Sequence, residues 1–183
     1  MKPVYLLTGR PGTGKTSLVK QVAARMKGKA GGFYTEEIRT GEKREGFRLV
    51  TLDGEDTILA HVDLRSPYRV SKYGVDIEGL ERLGVPALYK ATRQCDLVVV
   101  DEIGKMELFS TPFREAVAEA ISRGQKVLGT IMLNPDPWVD AIKRQPRVNL
   151  ITVTRDNYPR LLAELWHWLE ITGPEPGLQR KIT

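Results

Sequence analysis

The chain has 183 residues, 41% of them hydrophobic and 28% charged, which fits one folded soluble domain and excludes a disordered chain or a small disulfide-stapled scaffold. Lys and Arg exceed Asp and Glu by 28 to 23, but the charges are dispersed, and Glu42 interrupts the densest basic stretch, at residues 39–44, so nucleic-acid binding is disfavoured. The lone Cys95 excludes an internal disulfide, His61 and His167 are too far apart in sequence to suggest zinc, and the chain shows neither a signal peptide nor about 18 consecutive apolar residues, so a cytoplasmic monomer is expected.

Residues 4–8 read as a short buried strand that enters a glycine-rich turn. Leu18, Val19, Val22, Ala23 and Met26 then recur at helical spacing, with Gly28 as the expected stop. From about residue 30 to 75 the strand–helix rhythm breaks. Residues 32–39 and 46–52 flank a turn-rich 40–45 as a hairpin, and 57–60 add a third strand after the Asp53-Gly54 turn. Residues 97–100 form the continuous apolar run that a central parallel strand needs on both faces. Thr111 as cap, Pro112 at the first helical position and Gly124 at the end bound a helix whose stripe is Phe113, Ala116, Val117, Ala120 and Ile121. A strand at 126–133, a short helix at 138–143 and a strand at 148–153 follow. The last helix carries Tyr158, Leu161, Leu162, Leu165 and Leu169 on one side. The predicted fold is α/β and three-layered, with a mainly parallel sheet and an antiparallel hairpin insertion. One domain is expected over 1–172, and the Pro- and Gly-rich tail, 173–183, is expected to be loosely held.

Gly9-Arg10-Pro11-Gly12-Thr13-Gly14-Lys15-Thr16 matches G-x-x-x-x-G-K-[ST], between a predicted strand and a predicted helix. Such a loop must curl so that successive N–H groups converge on phosphate oxygens, which glycine permits, and the helix adds its positive end. Lys15 would lie against the β and γ phosphates, and the Thr16 hydroxyl would take one position on Mg²⁺. Asp101 and Glu102 end the apolar run, where open α/β sheets bind ligands. Asp101 suits magnesium, directly or through water, and Glu102 suits activation of the attacking water. Asp101 to Gly104 also reads as the D-x-x-G of regulatory GTPases. No N/T-K-x-D element follows it, and that assignment is rejected. Lys105 is either a solvated side chain or a charge offset on the transferring phosphoryl group. Tyr73 is open between contact with a base and packing.

Together, residues 9–16, 31–39, Gly46-Phe47, 99–108, Ser110 and Phe113 resemble the thermophilic nucleoside triphosphatase family, whose vertebrate relatives are called cancer-related nucleoside triphosphatases. The segment Val70-Ser71-Lys72-Tyr73-Gly74-Val75 is similar to a short family motif, with Ser71 where glycine is expected. The resemblance, which extends to about residue 170, implies a P-loop fold of the class with an added catalytic glutamate, related to the RecA-like and AAA ATPases. It implies slow hydrolysis of ATP, GTP, CTP and UTP with little base preference. The implied nucleotide contacts are residues 9–16 together with Asp101, Glu102, Ile103, Gly104, Lys105, Met106, Glu107 and Leu108. Two other functions fit the loop: a nucleoside or nucleotide kinase, with the arginines of residues 39–48 serving an acceptor, and a nucleotide-gated module binding RNA or protein.

Overall fold

The computed structural model describes residues 2–171; the tail predicted over 173–183 lies outside the described residues. The strands are β1 (Val4–Thr8), β2 (Ala30–Thr40), β3 (Lys43–Thr51), β4 (Asp56–His61), β5 (Arg69–Val70), β6 (Tyr73–Val75), β7 (Leu97–Ile103), β8 (Lys126–Ile131) and β9 (Val148–Thr152). They form one sheet in the order β5-β6-β4-β3-β2-β7-β8-β1-β9. From β2 to β9 every pairing is parallel, and from β2 outward to β5 every pairing is antiparallel. The helices are α1 (Lys15–Ala24), α2 (Ile77–Gly79), α3 (Val85–Gln94), α4 (Thr111–Ser122), α5 (Pro137–Lys143) and α6 (Tyr158–Ile171).

Strand alternation builds the layers. Val4 and Leu6 of β1, with Val98 and Val100 of β7, face Leu88 of α3 and Phe113, Ala116 and Val117 of α4. Tyr5 and Leu7, with Leu97 and Val99, face Leu18, Val19 and Val22 of α1 and Leu161, Leu165 and Trp168 of α6. Burying each such side chain contributes about 1.5–3 kcal/mol, so both helical layers are held by the same apolar runs. Among the described residues no helix is long and apolar enough to cross a membrane.

The insertion is more closely woven into the sheet than the sequence suggests. Its first arm, β2, pairs in parallel with β7 through residues 30–33 and then antiparallel with β3. The β5–β6 hairpin escapes periodicity because its arms are two and three residues long. Gly79, Gly84 and Pro86 mask the helical period of residues 77–94. In the structure the Asp76 carboxylate accepts from the Gly79 N–H, a π turn (Leu80–Gly84) follows, and Pro86 lies in the first turn of α3. α1 closes at Ala24, before Gly28, because Arg25 already caps it through backbone bonds. Ser110, not Thr111, caps α4, since its extended backbone lets Oγ accept from the Phe113 N–H at 3.1 Å.

Candidate active site

β1 ends at Thr8, and residues 9–14 turn the chain into α1. Gly12 and Gly14 hold φ at 78° and 88°, values that strain any L side chain. α4 and α5 are capped by Ser110 and Asp136, whereas α1 has neither a capping side chain nor an acid in its first turn. Its leading N–H groups and positive dipole end are therefore available to an anion. Lys15 Nζ folds back onto the carbonyls of Gly9 and Arg10, 2.9 Å from each.

Asp101 is fully buried on β7. Its Oδ1 accepts from the Thr130 hydroxyl of β8, and its Oδ2 has no hydrogen-bond partner. Burial raises its pKa, opposed by the hydroxyls of Thr130 and Thr16, the Thr35 backbone and the charge of Lys15. A buried carboxylate oxygen left without a partner is costly. With the Thr16 hydroxyl acting on the same carboxylate, the donors are oxygens, as a hard cation such as magnesium requires. Among the described residues no group of three or more His, Cys, Asp or Glu is arranged to hold a metal. An ion here would complete its shell with water and phosphate oxygens, which is magnesium's usual habit.

Glu102 is half-buried. Burial and then the Asp101 charge raise its pKa, and Lys15 lowers it. Gly104 makes room for its carboxylate, since a Cβ there would stand 2.5 Å from Glu102 Oε1. The glycine that mimics a GTPase motif thus has a packing reason. Glu107, 4% exposed, accepts from the Gly104 N–H at 3.2 Å. Burial and the Glu102 charge raise its pKa well above the ordinary carboxylate range.

The raised pKa of Glu107 has a thermodynamic consequence. The unfolded chain releases this proton in the ordinary range and the folded chain keeps it, so stability is lost as pH rises from that range through the folded pKa. Glu107→Gln retains an acceptor for Gly104 and cannot ionise. Its melting temperature should gain on the parent's between about pH 5 and about pH 8; parallel melting curves across that window would show that Glu107 is not held protonated.

These groups open on one cleft of about 1340 Å³ at the carboxyl ends of β1, β7 and β8, where such sheets bind ligands. Gly9, Arg10, Pro11, Gly12, Gly14, Lys15 and Thr16 line one side, and Glu102, Lys105, Met106 and Glu107 contribute to another. Asp101 lies behind this surface. Thr13, Ile103, Gly104 and Leu108 do not line it: the Thr13 hydroxyl donates to the Arg10 carbonyl, while Ile103 and Leu108 join the core beneath α3 and α4. A hollow of about 290 Å³ between the end of α1 and α6 gathers no comparable group of reactive side chains.

A family model described as NTPase matches residues 4–166. The chain belongs to this NTPase family. Among NTPase relatives, the nucleoside-triphosphatase THEP1 of Thermotoga maritima is 50% identical over 170 residues, spanning 93% of this chain and 97% of that protein. The crystal structure of THEP1 from Aquifex aeolicus has a TM-score of 0.84 at 37% identity, covering 91% of this chain and 99% of that one. The solution structure of a human cancer-related nucleoside triphosphatase has a TM-score of 0.79 at 36% identity, covering 94% and 100%.

Within the NTPase span lie three site features that the motifs do not reveal. Thr130 holds Asp101 from the neighbouring strand; its only sequence signal is a hydroxyl in a strand that is otherwise apolar after its first residue, Lys126. The Thr35 backbone helps to hold down the pKa of Asp101, and a main-chain group leaves no trace in composition. The turn between β5 and β6 brings Ser71 and Lys72 to the cleft. Tyr73 is packed: it is 5% exposed, set edge-on to Phe47, and its hydroxyl accepts from Arg44 Nε at 3.1 Å.

Proposed function

We propose that the chain hydrolyses nucleoside triphosphates to diphosphate and phosphate, with magnesium required. One observation carries this: the partnerless Asp101 oxygen and the uncapped start of α1 belong to one site, and a phosphate–metal pair answers both. The N–H groups of residues 9–16 would cradle the β and γ phosphates, and Lys15 would rest on their oxygens. Thr16 and Asp101 would hold magnesium, which when bound screens the phosphate charge. Glu102 orients a water and takes its proton as the water oxygen bonds to the γ phosphorus. The bond to the bridging oxygen then breaks, and its electron pair leaves with the diphosphate. This assigns the chain to the class with an added catalytic glutamate.

Little discrimination among ATP, GTP, CTP and UTP is expected, because the Tyr73 ring, though it lines the cleft, is 5% exposed and already carries the Lys72 ammonium and the Arg44 guanidinium. The arginines that an acceptor pocket would need are engaged on strands: Arg39 and Arg44 pair with Glu37, and Arg48 with Asp56 at 3.4 Å. That arrangement supports hydrolysis over phosphoryl transfer to a nucleoside. Phosphate release from all four triphosphates should proceed without any acceptor and stop on chelation with EDTA. A phosphorylated nucleoside or nucleotide appearing in place of free phosphate would make the chain a kinase.

A further inference from the structure

We propose that Lys72, at the tip of the β5–β6 hairpin, contacts the γ phosphate of the bound nucleotide and stabilises its transfer, supplying within one chain the positive charge that such reactions often borrow from a second protein. This rests on the hydrolytic function proposed above. Most cations lining the cleft are already engaged. Lys15 is bonded to loop carbonyls, Lys20 pairs with Glu36 at 2.7 Å, and Arg39 and Arg44 share Glu37. Arg10, Lys72 and Lys105 line the cleft with no carboxylate partner among the described residues. Arg10 belongs to the phosphate loop and Lys105 to the loop after β7. Lys72 alone arrives from the insertion.

Packing puts it there. Tyr73 and Val75 of β6 cluster with Ala60 of β4, and Met106 packs against the same cluster. Met106 is the neighbour of Lys105 and lies on the loop that follows Glu102, so the hairpin tip is docked on the water-activating side of the cleft. The tip is also fixed in shape. Ser71 holds φ at 53°, the left-handed region that few L residues occupy, and the Arg69 guanidinium donates to the Lys72 carbonyl at 3.0 Å. The backbone under Lys72 is thus preset, while its exposed ammonium rests over the Tyr73 ring, 5.4 Å from its centroid, with no carboxylate partner among the described residues.

In phosphoryl transfer, charge spreads over the equatorial γ oxygens and the departing bridging oxygen, and catalysis consists mostly of positioned positive charge. Lys15 would meet those oxygens from the phosphate loop, and Lys72 would meet them from the opposite wall. An arginine in the equivalent role accelerates related reactions by about 10³- to 10⁵-fold. An exposed lysine, lacking the planar fork of arginine, should contribute less.

The test uses Lys72→Gln and Lys72→Arg, at an exposed position where the fold is unaffected. Lys72→Gln should lower kcat at least about tenfold and weaken binding of a non-hydrolysable ATP analogue by a smaller factor. It should also weaken the complex with Mg-ADP and aluminium fluoride, which imitates the transferring group, and Lys72→Arg should recover part of both losses. Parental turnover in Lys72→Gln would overturn the role of Lys72 alone. A parent chain that binds ATP and releases no phosphate would instead overturn the hydrolytic function, and the role of Lys72 with it.

Discussion

Glu102→Gln should bind nucleoside triphosphate as tightly as the parent and turn it over about 10²- to 10⁴-fold more slowly, the usual loss when a positioned base is removed. The substitution is nearly isosteric, so the side chain still fits over Gly104, where a Cβ would stand 2.5 Å from the native Oε1. What disappears is the basic oxygen. The neutral amide also removes a negative charge that raises the pKa of Glu107, so the melting temperature should hold or rise. Lost activity would therefore not reflect lost structure. Phosphate release set beside binding of a fluorescent nucleotide checks both halves, and a variant that retains robust turnover would move the base elsewhere.

Lys15→Ala should behave differently, with affinity and rate falling together. In the parent, Lys15 Nζ bonds the Gly9 and Arg10 carbonyls at 2.9 Å, which holds the loop in its curl before any phosphate arrives. A charge-assisted contact contributes about 1.5–3 kcal/mol, so Kd should weaken by roughly ten- to a hundredfold. The positive charge that draws down the pKa of Asp101 and of Glu102 also goes. Both carboxylates should then ionise less readily, which compounds the loss in turnover. Titration of each chain with labelled ATP and with magnesium distinguishes the outcomes. An unchanged Kd would mean that residues 9–16 are not the phosphate site.

The two variants separate the proposed phosphate-holding part of the site from its proposed water-activating part, and these parts were unequally legible in the sequence. The phosphate loop could be read outright, because its eight residues are contiguous and their spacing follows from the shape of one phosphate. The acid pair was legible through its position at the end of an apolar run. The short strands of the insertion and the helices broken by Gly79, Gly84 and Pro86 were not, since two- and three-residue arms carry no period and breakers mask the helical one. Ser71 is an intermediate case. The sequence marks it as standing where glycine is expected, and its φ of 53° gives the reason.

By itself, then, the sequence determined the α/β rhythm, the phosphate loop and the carboxylates of the site, each of them a local pattern in which neighbours along the chain are also neighbours in space. Only the tertiary structure decided that Thr130 and the Thr35 backbone act on Asp101, that Glu107 is buried against the charge of Glu102, and that Lys72 reaches the cleft. Thr130 and Asp101 are 29 residues apart in the chain and meet only because β7 and β8 pair in parallel. Strand order sets such encounters, and strand order is chosen by how the two apolar faces of the whole sheet are covered at once, which no single segment encodes.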